Sequence, residues 1–163
     1  PPVALAGHSM GSAAVLEYAS AHPEIQATVG ISLISDQTTP TTPRNLLITT
    51  GALEFANIKN ASLMALYNGT ANPAALADTT YGDLAAGTGR RLEWTPGVEH
   101  ISILFAPAMS GAATSWVAAG AGQPLPISYR DIRMLWVGVV YLGGLLLLWA
   151  IIGSRSGLSL IHI

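Results

Sequence analysis

Short apolar blocks alternate with polar segments over the first two thirds of the chain, and one long apolar run follows near the end. Residues 3–6 form a brief apolar stretch that leads directly into Gly7-His8-Ser9-Met10-Gly11. Residues 12–21 are rich in helix formers, with Ala14, Leu16, Tyr18 and Ala21 among their apolar positions, and His22-Pro23 stops them. Residues 27–33 predict a second strand, and residues 35–43, heavy in Thr and Pro, predict a loop. A third strand is expected over residues 45–50, which are apolar and β-branched, with Gly51 closing it. Residues 55–67 predict a helix, followed by Asn68-Gly69 as a turn signal. Residues 90–95 predict a fourth strand, in which Leu92 and Trp94 alternate with charged neighbours. Pro96-Gly97 then turns the chain into Val98-Glu99-His100, and residues 101–119, mostly small and apolar, hold the last helix of this part. There is no internal repeat.

Strands separated by helical stretches, without hairpin dipeptides between them, pair in parallel through crossover connections. The expected fold is therefore α/β. Four strands with the Ser9 strand first make one side of a doubly wound, mostly parallel sheet, so the remaining strands are expected upstream. Residues 1–122 form this portion, and residues 123–133, with Pro124 and Pro126, form a linker.

Residues 134–152 carry no charged side chain and include Leu145-Leu146-Leu147-Leu148. A helix of that length measures about 28 Å at about 1.5 Å per residue, close to the roughly 30 Å of a bilayer core. Arg130 and Arg133 flank one end and Arg155 the other, and two of the aromatics Trp136, Tyr141 and Trp149 fall near the interfaces. A transmembrane helix is expected. The competing reading, a buried core helix, has no core left to enter once the α/β pattern is complete. The basic flanks are too few to set the side of the membrane.

Composition narrows the picture. Half the residues are hydrophobic and the net charge is −2 with 10% charged residues, which argues against a nucleic-acid partner. Mean hydropathy is +0.46, high for a soluble domain, and its excess lies near the C-terminus. Cysteine is absent, which excludes disulfides and cysteine chemistry. No metal-ligand cluster is visible, and no cofactor is expected. The chain opens on Pro1-Pro2-Val3, and Leu158-Ser159-Leu160-Ile161-His162-Ile163 matches a translated sequencing-adapter end. The expectation is a fragment at both ends, with residues 158–163, His162 included, left out of any functional role.

Gly7-His8-Ser9-Met10-Gly11 fits G-x-S-x-G, the turn that lifts a nucleophilic serine above a sheet between strand and helix. Glycines two residues to either side let backbone pack against that turn. Ser9 then lies at a helix N-terminus, whose positive dipole end accommodates developing negative charge, and the N–H of Met10 supplies one oxyanion donor. Leu5-Ala6-Gly7-His8-Ser9-Met10-Gly11-Ser12 resembles the nucleophile elbow of esterase, lipase and dienelactone-hydrolase-like members of the α/β-hydrolase superfamily. Over residues 45–54, the run ending Thr50-Gly51-Ala52-Leu53-Glu54 resembles the strand and turn that carry the acid in that family. Over residues 91–100, the run ending Pro96-Gly97-Val98-Glu99-His100 resembles the last strand and its histidine loop.

The resemblance spans residues 3–119 and implies a triad of Ser9 as nucleophile, His100 as general base and Glu54 as the acid that orients it. Asp36, after the second strand, is the alternative acid. The stretch from Glu54 to His100 is longer than such proteins usually show, which implies a small insertion within residues 57–88. A second oxyanion donor would come from upstream of the elbow. His8 is expected to pack or bond locally, and His22 to end a helix. Asn60-Ala61-Ser62 and Asn68-Gly69-Thr70 match glycosylation triplets too common to weigh.

The expected function is a membrane-anchored serine hydrolase that cleaves an ester or related acyl bond, with a small acyl substrate and the lipid bilayer as partners. A serine peptidase on the same fold, and a catalytically dead binding module attached to a multi-span membrane protein, are the alternatives.

Overall fold

A computed structural model describes residues 1–124 and 132–155. The chain divides into two units, Pro1–Tyr129 and Arg130–Ile163. The first contains β1 (Val3–His8), α1 (Met10–Ala21), β2 (Ile25–Ile31), β3 (Leu46–Gly51), α2 (Ala56–Thr70) and β4 (Arg90–Thr95). A 3-10 turn (Ser102–Phe105) and α3 (Pro107–Gly120) complete it. The second unit contains α4 (Arg133–Arg155).

The four strands form one sheet in the order β1-β2-β3-β4, and every neighbouring pair is parallel. The expected α/β class and parallel pairing are both present. Side-chain alternation then decides which helix covers which face. Leu46, Ile48 and Leu92 point to the face covered by Leu16 of α1 and by Ala65 and Leu66 of α2. Ala27, Val29, Ile31 and Leu47 point to the opposite face, against Ile103 of the 3-10 turn and Met109 and Trp116 of α3. Helices thus lie on both faces. Strands β2 and β3, covered on two sides, are nearly all buried, whereas β1 is exposed or half-buried throughout.

Asn45 joins the layers at the ends of β2, β3 and β4. It is buried with φ of 42°, a left-handed conformation that asparagine tolerates better than most side chains. Its side-chain amide donates to the carbonyls of Gln26 and Leu84, and its Oδ1 accepts from the N–H of Gly89. Its own carbonyl accepts from Trp116 Nε1 at 2.7 Å. Arg90 is buried beside it and donates to the carbonyls of Thr39 and Gly89, fixing the loop between β2 and β3 against β4. Burial pushes its guanidinium down to about 10, which leaves it charged at neutral pH.

One sequence expectation is corrected here. Asn68-Gly69 is not a turn: α2 continues through it to Thr70 and stops at Ala71, whose left-handed φ of 50° lets its N–H reach back to the Asn68 carbonyl. Gly69 serves packing instead, because a Cβ there would press on the Arg90 side chain. The segment expected to hold the last helix, residues 101–119, contains the 3-10 turn and then α3, separated by Ala106, whose extended backbone lies just before the Pro107 start of α3. The suspected extra length resolves into α2 and a loop over residues 71–89 that folds back, with Tyr81 bridging antiparallel to Arg90.

Within α4, the stretch Arg133–Ser154 has mean hydropathy 2.3 and is long and apolar enough to cross a membrane. Most of the expected linker, and the tail at residues 158–163, lie outside the described residues.

Candidate active site

Ser9 sits between β1 and α1 with φ of 55° and ψ of −120°. A non-glycine residue at positive φ costs on the order of 1–3 kcal/mol, so its surroundings must hold it there. Its N–H donates to the Ile31 carbonyl at 3.0 Å, and its carbonyl accepts from the N–H of Ser12 at 2.9 Å. The Ser12 hydroxyl also donates to that carbonyl. Gly7 permits the turn sterically, because a Cβ there would overlap the backbone carbonyl of Gly11. Gly11 has a different standing. A Cβ on it would meet nothing, so only the first of the two motif glycines is required by close approach.

The acid comes from the turn after β3. The Glu54 N–H donates to the Gly51 carbonyl, and the Leu53 N–H donates to the Val98 carbonyl at 3.0 Å. The latter bond joins the turn to the histidine loop. Gly51 makes the junction possible, since a Cβ at that position would overlap the Val98 carbonyl. Beyond Gly97, at φ of 70°, the loop is stabilised by reciprocal bonds between Glu99 and Ser102. The Glu99 carboxylate accepts from the N–H groups of Ile101 and Ser102, and Ser102 Oγ accepts from the Glu99 N–H at 3.0 Å. These bonds hold the Glu99 carboxyl below the usual range.

These turns bring three side chains into line. His100 Nδ1 lies 2.9 Å from Glu54 Oε2, and His100 Nε2 lies 2.9 Å from Ser9 Oγ. An ionised carboxylate can only accept, so Nδ1 carries the proton and donates to Glu54. Nε2 is then left with its lone pair toward the serine hydroxyl, in the tautomer that a general base needs.

The Glu54 side chain is fully buried, and its other oxygen accepts from the Phe55 N–H at 2.9 Å. Burial alone would raise its carboxyl. The Ser32 hydroxyl, the Phe55 N–H and His100 together outweigh that and hold it below its ordinary value. The Ser32 contribution is the weakest in geometry, since no hydrogen bond of ordinary length joins that hydroxyl to a partner. Ser32 is itself at positive φ, at the end of β2, with its N–H on the Thr49 carbonyl.

Of the residues expected from sequence, Ser9, His100 and Glu54 are brought together, whereas Asp36 is not. Asp36 accepts from the Gln37 side chain at 3.1 Å, and no bond among the described residues joins it to His100. Met10 is the first residue of α1, where N–H groups have no carbonyl one turn earlier to bond. His22 caps the end of α1, stacked on Tyr18 and bonded to Glu24.

His8 has a larger part than its sequence position suggested. Its Nε2 lies 2.8 Å from the His100 carbonyl, and the two imidazole rings are 4.7 Å apart. A carbonyl only accepts, so His8 donates through Nε2 and pins the histidine loop to the elbow. Ser32, Gly51 and Glu99 also support the site. Nothing in the sequence separated them from ordinary turn residues, except that Gly51 closes a strand.

Among the described residues no group of three or more His, Asp or Glu side chains could hold a metal ion. No family model matches the chain, and no curated protein or solved structure matches it either.

Proposed function

We propose that the α/β unit is a serine hydrolase of the α/β-hydrolase type, acting on an ester or related acyl bond and held at a membrane by α4. The observation that carries this reading is the unbroken line from Ser9 Oγ through His100 to buried Glu54, with both bonds at 2.9 Å. Three independent turns contribute to it, and ordinary surface bonding does not require a serine held at positive φ.

In the proposed reaction, Ser9 Oγ attacks the acyl carbon as His100 Nε2 takes its proton. The imidazolium is stabilised by Glu54, and the Met10 N–H faces the developing oxyanion. When the tetrahedral intermediate collapses, the bond to the leaving alcohol breaks and His100 returns the proton to that oxygen. Water, deprotonated by the same nitrogen, then attacks the acyl-Ser9 ester, and His100 returns that proton to Ser9 Oγ as the ester bond breaks and the acid is freed.

Ser9→Ala should abolish hydrolysis of p-nitrophenyl butyrate by the chain reconstituted in lipid nanodiscs. Retention of the wild-type rate would refute the triad. The anchor is supported by the length and hydropathy of α4. It is tested by alkaline carbonate washing of membranes, which should leave the chain in the pellet; release into the supernatant would remove the span.

A further inference from the structure

The two peptide groups that flank the Ser9 side chain are tied, directly or through Ser12, to residues 31–34. The Ser9 N–H donates to the Ile31 carbonyl. The Ser9 carbonyl is held by Ser12, whose N–H bonds to it at 2.9 Å and whose hydroxyl bonds to it as well. That hydroxyl in turn accepts from the N–H of Ile34 at 3.3 Å. The direction of this chain of bonds is fixed, because an N–H only donates and a carbonyl only accepts. Ile34 occupies a lone pair of Ser12 Oγ, the hydroxyl hydrogen turns to the Ser9 carbonyl, and each bond polarises the next. Serine inside a helix often bonds back to a carbonyl one turn earlier. The full burial of Ser12 and a bond from a residue 22 positions away go beyond that local habit.

The Ser9 carbonyl and the Met10 N–H are the two polar ends of one planar trans peptide, so they point in opposite directions and turn together. Met10 opens α1, where its N–H has no carbonyl one turn earlier to hold it. Its aim is therefore set from the other end of the plane. Resting on the hydrolase reading above, in which that N–H faces the oxyanion, we propose that Ser12 is a positioning residue whose hydroxyl locks the Ser9–Met10 peptide plane and so aims the oxyanion donor. Such a donor is effective only when it already points at the oxygen on which charge develops. Ser9 Oγ is held by a different bond, to His100 Nε2 at 2.9 Å, so the aim of the donor and the line of the triad are separable.

The test exchanges the oxygen that enters this site for sulfur. p-Nitrophenyl butyrate and its thiono analogue, with C=S in place of C=O, share a leaving group and an alkyl chain. Sulfur is larger and a weaker acceptor, so a donor placed for oxygen serves it badly. Both esters are given to the chain in nanodiscs, with Ser9→Ala as the blank. In Ser12→Ala, kcat for the oxygen ester should fall on the order of tenfold with KM little changed, part of the roughly 10²–10³-fold that loss of a whole donor costs. The thiono ester should lose less than about threefold, so the ratio of the two rates narrows. Ser12→Cys keeps nearly the same volume with only a weak donor, and its ratio should narrow as in Ser12→Ala. Should Ser12→Ala fail to fold, Ser12→Cys decides.

Equal losses for the two esters would assign Ser12 to the fold or to Ser9 itself and overturn the proposal. Unchanged rates would overturn it too, as would a wild-type ratio in Ser12→Cys, because volume alone would then suffice. Each of these results leaves the hydrolase reading standing. Absence of Ser9-dependent hydrolysis of either ester by the wild type, together with no labelling of Ser9 by a fluorophosphonate, overturns both.

Discussion

The elbow that presents Ser9 and the loop that presents His100 reach the same point by different physical means. The elbow depends first on close approach, through a glycine whose Cβ would overlap the next turn, while short local bonds from Ser9 to Ile31 and from Ser12 keep the serine at φ of 55°. The histidine loop is held by hydrogen bonds, from Leu53 and His8 to its carbonyls and between Glu99 and Ser102 within it. Only at Gly51 does it also depend on close approach. The contrast separates two ways of fixing a reacting atom. A steric device fails abruptly when one methyl group is added, whereas a network of bonds loses its hold in increments.

The largest effect should come from the member that belongs to neither backbone device. Glu54→Gln keeps the shape but replaces one carboxylate oxygen by an amide donor. That favours the wrong imidazole tautomer and should lower kcat on the order of 10⁴-fold with KM little changed. Steady-state kinetics on p-nitrophenyl butyrate measure it, and a loss below about tenfold would mean that Glu54 does not orient His100.

Next come the steric devices. Gly7→Ala and Gly51→Ala should each destabilise the domain by about 2–3 kcal/mol, since backbone rather than a flexible side chain must move. Gly11→Ala, at the other motif glycine, should change stability by no more than about 0.5 kcal/mol. Urea unfolding of the three variants separates required approach from motif membership; equal effects at Gly7 and Gly11 would erase the distinction.

These contrasts mark what could be read from sequence. The four strands, their parallel pairing and the Gly7-x-Ser9-x-Gly11 turn were legible because they are local patterns, whereas His100 and Glu54, 91 and 45 residues from Ser9, were named through the family resemblance of their segments. The choice of Glu54 over Asp36 followed from resemblance, and its physical basis emerged only in three dimensions. Glu54 follows a turn tied to the histidine loop through Leu53 and Val98, whereas Asp36 lies in the loop that Arg90 and Asn68 hold through backbone carbonyls. The work of His8 was not legible, because its partner is a backbone carbonyl 92 residues away. Asn68-Gly69 misled for a related reason: the glycine answers to the Arg90 side chain, a contact that no local pattern encodes.

A smaller effect probes the bonded loop. His8→Ala removes one anchor and should lower kcat roughly tenfold, the equivalent of about one hydrogen bond, without loss of folding. His8→Gln, whose amide can donate at similar reach, should restore most of it. Equal losses in both variants would assign His8 to packing alone.

The smallest effect concerns acid. Glu54 has its folded value below the ordinary 4.5, so its ionised form contributes stability that is fully present above that pH and is lost as pH falls through the folded value. The difference in Tm between wild type and Glu54→Gln should therefore be constant above about pH 4.5 and shrink below it. A gap that widens in acid would reverse the sign assigned here.

The central claim is that Ser9 is an activated nucleophile. Labelling of the chain in membranes with a fluorophosphonate probe, wild type beside Ser9→Ala and His100→Ala, tests it most directly. The wild type should label at Ser9 and both variants should remain unlabelled while folded. A folded wild-type protein that takes no label, or a Ser9→Ala variant that labels equally, would contradict the account.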